Sequence, residues 1–378
     1  MTSRPDKKLI IVGGGHASLP LIKMGKKWRQ FGIEIVLISE NPYLIYSGAL
    51  PQFMGGFYNW EQTAIDLEKL CESYGVSFIE SRVESISGES SQVKLSNGTV
   101  NTYDYLVINV GAKTVQFDQL ANSAHVKPMN ELLSLRQRLK DGEINKLLIA
   151  GGGAAGAEIA LNLSHPDSFA DLKITILDKN SRLLSGFPER LSDTVTDLLN
   201  ERKVRVNTNL EFEPAMAGQY DATIIAVGNQ PGSKSISHDF KTGKCSRILT
   251  DQSLRVVDQT TVFAAGDTAD VDGKDYRQIG VHAVKQGVVL RQNIKALHKG
   301  EAFTDYSPYL YNPLILSDGP DRAFYILNRF LSQGRWAAIL KYVLDMNWLE
   351  KYTEPLENRK SYTELLHGGM KRSMRRRS

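Results

Sequence analysis

Leu9-Ile10-Ile11-Val12-Gly13-Gly14-Gly15-His16-Ala17-Ser18 and Leu147-Leu148-Ile149-Ala150-Gly151-Gly152-Gly153-Ala154-Ala155-Gly156 decide the reading of this 378-residue chain. Each is a short apolar run that breaks into glycines and then opens a helical pattern. A buried strand ending that way turns backbone N–H groups and a helix N-terminus toward an anion, the arrangement that holds a pyrophosphate. One such turn is a weak signal. Two in one chain, each followed by a second strand ending in an acid, predict two dinucleotides brought face to face and electron transfer between them.

Working outward from the first turn, 9–12 reads as a strand, 17–30 as a helix and 33–38 as a second strand closing at Ser39-Glu40. The stretch 41–60, rich in glycine, proline and aromatics, reads as a structured loop, and 63–74 as a helix. Short runs at 76–79, 82–86, 92–95 and 99–101 predict strands, with Asn97-Gly98 as a hairpin turn. Tyr105 to Gly111 is then a buried strand ending in glycine. Around the second turn the pattern returns as a strand over 146–150, a helix over 154–163 and a strand over 173–177 before Asp178. A helix over 189–202, strand-like runs at 204–206 and 211–213, and a strand over 222–227 ending at Gly228 follow. Thr261 to Ala265 closes in Gly266-Asp267, and 278–298 reads as one long helix. The alternation predicts parallel sheets covered by helices. The expected fold is α/β, with two Rossmann-like doubly wound domains, the second inserted in the first, and a C-terminal α+β region.

The formal net charge is +4, and Lys371, Arg372, Arg375, Arg376 and Arg377 alone outweigh it, so the body is slightly negative. A nucleic-acid-binding body is not expected. Two cysteines, Cys71 and Cys245, stand outside any CxxC or Cys/His cluster, which argues against a disulfide framework or a metal site and fits a reducing compartment. Residues 1–8 run straight into the first strand, leaving no room for a signal peptide, and no apolar stretch reaches the roughly 18 residues needed to span a bilayer.

Within the first turn, Gly13 permits the tight bend, Gly15 permits close approach of a pyrophosphate, and Ser18 takes the third, small position. Glu40 stands where a ribose diol is recognised. His16 and the adjoining Ala17 open the helix, His16 either facing the cofactor or satisfied by backbone. The second turn has all three glycines, Gly151, Gly153 and Gly156, with Asp178 as its ribose acid. A carboxylate there repels a 2′-phosphate and favours NADH, while Lys179 and Arg182 leave NADPH open. Glu158 either orients a nicotinamide or answers the helix dipole. Asp267 is placed to hold ribityl hydroxyls of a flavin, and a helix from about Val281 aims its positive end at the flavin's pyrimidine ring.

The order of Gly13 to Gly15, Tyr105 to Gly111, Gly151 to Gly156, Ala222 to Gly228 and Phe263 to Asp267 resembles the pyridine nucleotide-disulfide oxidoreductase superfamily over about residues 8–300. The resemblance implies that Gly13, Gly15, Glu40 and Asp267 bind FAD and that Gly151, Gly153, Gly156 and Asp178 bind the nicotinamide cofactor. His16, Ala17, Gly111, Gly228 and Gly266 are further cofactor-binding candidates. It also implies an FAD domain made of 1–112 and 241–300, an NAD(P)H domain over 113–240 and a C-terminal region over 301–378. Disulfide reductases of that superfamily carry cysteines beside the flavin, whereas the equivalent loop here reads Tyr46-Ser47-Gly48-Ala49-Leu50-Pro51, so dithiol chemistry is not expected.

What remains is similar to type II NADH:quinone dehydrogenases and to the flavoprotein half of selenophosphate synthetase fusions, through Gly280 to Gly287 and Gly334-Arg335-Trp336-Ala337. Where those dehydrogenases carry Ala-Gln-x-x-x-Gln, this chain has Val281-His282 and Gln286. The implied activity is NADH oxidation through FAD to a quinone, with Gln286 at the quinone and His282 or Lys285 supplying protons. Two alternatives stand beside it: a soluble flavoenzyme with a sulfur, selenium or protein acceptor, and a non-enzymatic redox sensor. Trp336, Ile339, Leu340, Val343, Leu344 and Trp348 recur at helical spacing with Lys341, Asp345 and Glu350 on other faces, upstream of the basic cluster. That pairing predicts peripheral contact with a membrane through 335–378, at the cytoplasmic face; the other reading is a helix packed on the body or on a second copy in a homodimer.

Overall fold

The computed structural model describes residues 6–115, 117, 120, 122–309, 311–356, 359, 360 and 364. Its backbone gathers into two units. One combines Met1–Leu44, Ile65–Lys113 and Asn229–Leu310; the other combines Ile45–Ala64, Thr114–Gly228 and Tyr311–Ser378.

The first unit is built on a five-stranded parallel sheet in the order Val262–Ala264, Tyr105–Ile108, Lys7–Val12, Ile33–Ser39, Ser77–Glu80. Leu9, Ile10 and Ile11 are fully buried, which is what a central strand covered on both faces requires of an unbroken apolar run. The strand that follows in sequence lies on one side of Lys7–Val12 and Tyr105–Ile108 on the other. Gly13 therefore leaves the sheet at the point where strand order reverses, the crevice in which α/β proteins bind ligands. A four-stranded sheet of Ser237–His238, Val83–Ser87, Gln92–Leu95 and Val100–Thr102 packs in the same unit, with Gly98 at φ 84° in the expected hairpin turn.

Two expected helices are shorter than their sequence pattern. The stretch 17–30 forms Leu19–Ile22 and Gly25–Gln30, with a bend at Met24. Gly25 gives the reason: a Cβ there would lie 2.4 Å from the Tyr74 carbonyl oxygen, so the second piece packs against backbone and the chain must bend to reach it. The helix expected from 63 begins at Leu67, because the Asp66 side chain accepts the Lys69 N–H at 3.0 Å and caps it there.

The second unit repeats the architecture with the parallel order Ser123–His125, Ala222–Ile225, Lys146–Ala150, Lys173–Leu177, Arg205–Asn207. Gly151 again leaves the middle strand at the reversal. The strand expected at 211–213 does not form. Phe212 is buried among Leu148, Leu177 and Ile225 without joining the sheet, and Pro214, which has no N–H to donate, turns the chain into the short 3-10 helix Pro214–Gln219.

This unit ends in an antiparallel sheet of Leu314–Asp318, Arg322–Leu327 and Phe330–Gly334, followed by the helix Arg335–Leu349. Asp318, 1% exposed, pins the sheet by accepting two hydrogen bonds from Arg202 at 2.6 and 3.1 Å and one from Arg322 at 2.6 Å. The helix turns two of its charged residues inward. Its inward side carries Ala337, Ala338, Tyr342 and Met346 together with the charged Lys341 and Asp345, while Trp336 and Leu344 point outward. The basic cluster 371–377 lies outside the described residues.

Candidate functional site

The first glycine turn is shaped by Asn109. Gly13 has φ +95°, and a Cβ there would meet the Asn109 carbonyl oxygen at 2.4 Å; one at Gly15 would meet Asn109 Nδ2 at 2.7 Å. Asn109 Nδ2 donates to Ser18 Oγ at 3.1 Å, and Ser18 Oγ donates to the Gly13 carbonyl at 2.7 Å. Ser18 thus serves the third position by tying helix to turn through its hydroxyl. His16 is half-buried and Ala17 fully buried. Glu40, at the end of the neighbouring strand, is half-exposed and 3.4 Å from Lys113 Nζ. Gly111, at φ +68° with open space where its Cβ would be, donates its N–H to Thr268 Oγ1 at 3.0 Å.

Gly266 closes the same face. Its φ is +67°, and a Cβ there would lie 2.8 Å from Asn109 Oδ1. The Gly266 N–H donates to Gln286 Oε1 at 2.6 Å, and Gln286 Nε2 donates to Tyr276 Oη at 2.8 Å. Gln286 is fully buried, so both ends of its amide are used inside the protein. Asp267 is half-buried, and its carbonyl accepts from Arg247 Nε at 3.1 Å.

The helix Gly280–Lys299 starts without a side-chain cap; the His282 N–H donates to the Ile279 carbonyl at 3.0 Å, which leaves the N–H groups of Gly280 and Val281 for another acceptor. His282, 2% exposed, has Nδ1 2.6 Å from Tyr306 Oη and its ring against Tyr276. Burial, with Lys285 nearby, holds its pKa below the ordinary histidine value. Lys285 Nζ lies 4.0 Å from the centre of the Tyr309 ring. The three sequence candidates on this helix therefore separate: Gln286 and His282 face inward and Lys285 lies under an exposed aromatic.

In the second unit, Gly151 (φ +110°) packs against the Ala226 carbonyl and Gly156 packs directly on Gly151, leaving no room for a Cβ at either. At Gly153 a Cβ would meet nothing within 4 Å, and the helix Ala154–Leu163 that it caps has no side chain on its first N–H groups. An open cradle before an uncapped helix start fits a pyrophosphate. Asp178 is 7% exposed. Its Oδ2 accepts the Gly152 N–H at 2.8 Å, and its Oδ1 accepts from the backbone and side chain of Asn180, both at 2.7 Å. Arg182 donates to the carbonyls of Leu184, Ser185 and Phe187, and Lys179 is exposed. Gly228 has φ +58°.

Glu158 does not lie on the open cradle. It is buried, and its Oε1 accepts from Ser317 N–H at 2.7 Å and Ser317 Oγ at 2.8 Å. Burial raises its pKa, opposed by Lys341 and by those hydrogen bonds. Lys341 and Asp345, which the helical pattern set on faces other than the apolar stripe, are the residues whose place in the interior was missed in the sequence. Their signal was present as two opposite charges at i,i+4 in a stretch where almost everything else is apolar. Asn109 was missed too; its signal was a polar residue closing an otherwise apolar strand.

Cys71 is buried, which pushes its thiol up to about 12, and Cys245 is exposed. Among the described residues no cluster of His, Cys, Asp and Glu is arranged to hold a metal, and no helix is long and apolar enough to cross a membrane.

Type II NADH:quinone oxidoreductases of Staphylococcus aureus are 23% identical over 386 residues, covering 90% of this chain and 94% of their own. Among solved structures, the sulfide:quinone oxidoreductase of Aquifex aeolicus superposes with a TM-score of 0.72 at 19% identity, covering 96% of this chain and 94% of that one. NDH2 of Plasmodium falciparum, solved in complex with NADH, gives 0.73 at 14% identity over 91% and 94%. These structural likenesses show the fold. The family described as pyridine nucleotide-disulphide oxidoreductase matches residues 7–287, and with most of its length so matched the chain belongs to that family.

Proposed function

We propose that the protein is an FAD-dependent NADH dehydrogenase that passes two electrons to a quinone. FAD and NADH are its cofactors; FAD, when bound, accepts a hydride from NADH and returns two electrons to an acceptor. The observation that carries the reading is the repetition of one sheet, glycine turn and reversal point in each unit, joined to a loop, Tyr46 to Pro51, without the cysteines that dithiol transfer needs.

In this reading Gly13 and Gly15 receive the FAD pyrophosphate, Glu40 the adenosine ribose and Asp267 the ribityl chain. Gln286 fixes the Gly266 turn that presents Asp267, and the first turn of Gly280–Lys299 directs its N–H groups at the flavin ring. Gly151, Gly153 and Gly156 receive NADH with Asp178 on its ribose. Arg182, committed to three carbonyls, is withdrawn from a 2′-phosphate, which favours NADH over NADPH. His282, buried and neutral at pH 7, acts on the acceptor step through Tyr306, and Lys285 stands nearer the surface. The similarity to type II NADH:quinone oxidoreductases supports a quinone; the likeness to a persulfide reductase and to a water-forming NADH oxidase makes sulfur species and oxygen the competitors.

The outward face of Arg335–Leu349, with exposed Trp336 and Leu344, together with exposed Phe330 of the preceding strand, which like Trp336 packs on Tyr325, is read as resting on a membrane at the cytoplasmic side, where quinone is dissolved, with the basic cluster of the sequence on anionic headgroups. The deciding experiment is a steady-state screen of NADH oxidation against benzoquinones, naphthoquinones, sulfur and selenium compounds, and oxygen. A quinone turning over at least tenfold faster than the rest supports the proposal, and a faster sulfur or selenium acceptor removes it.

A further inference from the structure

Along the helix Arg335–Leu349, Lys341, Asp345 and Trp348 fall at i, i+4 and i+7, one stripe, and all three are buried. That stripe grips the Tyr46–Pro51 loop at two points. Lys341 Nζ donates to the Gly48 carbonyl, and the Trp348 ring stacks on Tyr46 at 4.5 Å and 24°. The loop folds back so closely that a Cβ on Gly48 would lie 2.8 Å from the Tyr46 ring. Asp345 joins the two grips. Its Oδ2 accepts from Lys341 Nζ at 3.0 Å and from Tyr58 Oη at 3.4 Å, and its carboxylate also hydrogen-bonds the Tyr46 phenol.

The charged groups facing Lys341 are Asp345 on its own helix and Glu158 on Ala154–Leu163; the phenols of Tyr46 and Tyr58 face Asp345, with Tyr342 beside Tyr58. Burial alone would lower the Lys341 pKa, but Asp345 and Glu158 outweigh it and hold the ammonium charged. Well-packed apolar residues commonly replace a buried ion pair with no loss of stability. Stability alone therefore gives no reason for spending Lys341 and Asp345 here, whereas aiming a charge and a loop does.

We propose that Asp345 is a positioning residue for the acceptor step: it keeps Lys341 aimed at Gly48 and the Tyr46 and Tyr58 phenols in one arrangement, so that the C-terminal helix sets the Tyr46–Pro51 loop. The inference rests on the proposed function for the loop's place beside the acceptor. It makes the helix part of the site as well as a surface element.

The test uses the full-length FAD-loaded protein. Asp345→Asn keeps the shape and removes the charge. Flavin reduction by NADH should stay within twofold, reoxidation by a short-chain benzoquinone should slow at least tenfold, and the alkaline limb of that step should move to lower pH as Lys341 loses its counter-ion. Without NADH or quinone, hydrogen exchange at the amides of 46–54 should speed up at least tenfold, and Asp345→Glu should recover both. Should Asp345→Asn not fold, Lys341→Met with Asp345→Leu removes both members of the ion pair together and leaves Glu158 on its Ser317 hydrogen bonds, and its 46–54 amides should still exchange faster. Unchanged exchange in the folded double variant, or an unmoved alkaline limb in Asp345→Asn, overturns the proposal. If no quinone reoxidises the wild type while exchange responds as expected, the quinone reading falls and the positioning role stands.

Discussion

Gln286 Oε1 accepts the Gly266 N–H at 2.6 Å from a side chain with no exposed surface, although the two residues lie 20 positions apart. The amide spans the helix Gly280–Lys299 and the glycine that turns the chain at φ +67° into Asp267. Replacing Gln286 by leucine strands the Gly266 N–H, and each buried polar group left unsatisfied costs about 1–3 kcal/mol. Gln286→Leu should lower the denaturant midpoint and weaken FAD retention together, whereas Gln286→Glu, which still accepts from Gly266, should lose less of both. A leucine variant with normal FAD affinity and only a slower quinone step would instead put Gln286 in contact with the acceptor.

His282, His165 and His238 all have pKa values held below that of free histidine, chiefly by burial. Each is neutral in the folded protein under conditions where the unfolded chain already binds a proton. Their contribution is therefore fully present above the unfolded value of about 6.5 and lost as pH falls through the lowered folded values. Glu158, raised by burial, works in the opposite direction at acidic pH. Urea midpoints taken from pH 7.5 down to 5 should fall, and His282→Gln, which keeps a partner for Tyr306, should flatten that fall; an identical slope in wild type and variant would remove His282 from the account.

Both carboxylate oxygens of Asp178 already hold the chain, on Gly152 and on Asn180, so the acid shapes the turn; in the proposed function it also receives the ribose. Asp178→Asn should raise the KM for NADH about tenfold, equivalent to about 1.4 kcal/mol, and narrow the preference over NADPH. Arg182→Ala should leave the ratio of the two KM values within twofold, because its guanidinium is spent on the carbonyls of 184, 185 and 187. A large loss of NADPH use in Arg182→Ala would mean that the guanidinium leaves those carbonyls for a phosphate.

The parallel sheets and both glycine turns were legible in the sequence because unbroken apolar runs such as Leu9 to Val12 and the steric demands of Gly13 and Gly151 are local. The break at Met24 was not, since it follows from Gly25 meeting Tyr74, 49 residues away. The burial of Lys341 and Asp345 was not legible for a related reason. Periodicity sorts residues by polarity, and Lys341 and Asp345 are inside because they satisfy each other and Gly48. In the same way, nothing around Ser18 in sequence announces Asn109, which arrives from another strand to bind it.

With Lys341 and Asp345 turned inward, the outward side of the last helix presents Trp336 and Leu344, 47% and 51% exposed, and the preceding strand presents Phe330 at 59%. Exposed aromatic and aliphatic side chains with a basic cluster downstream in the sequence are expected to favour an anionic bilayer. Removing one such side chain from lipid costs about 1.5–3 kcal/mol, so Trp336→Ser with Leu344→Ser should cut flotation with phosphatidylglycerol-rich liposomes by at least tenfold. Neither residue belongs to the buried stripe, so NADH oxidation with a water-soluble acceptor should remain within twofold. Truncation after 364 should reduce flotation on anionic vesicles only and make the remainder insensitive to salt. If the double variant floats like the wild type but sediments as a smaller species, the face is an interface between two copies and the membrane reading is wrong.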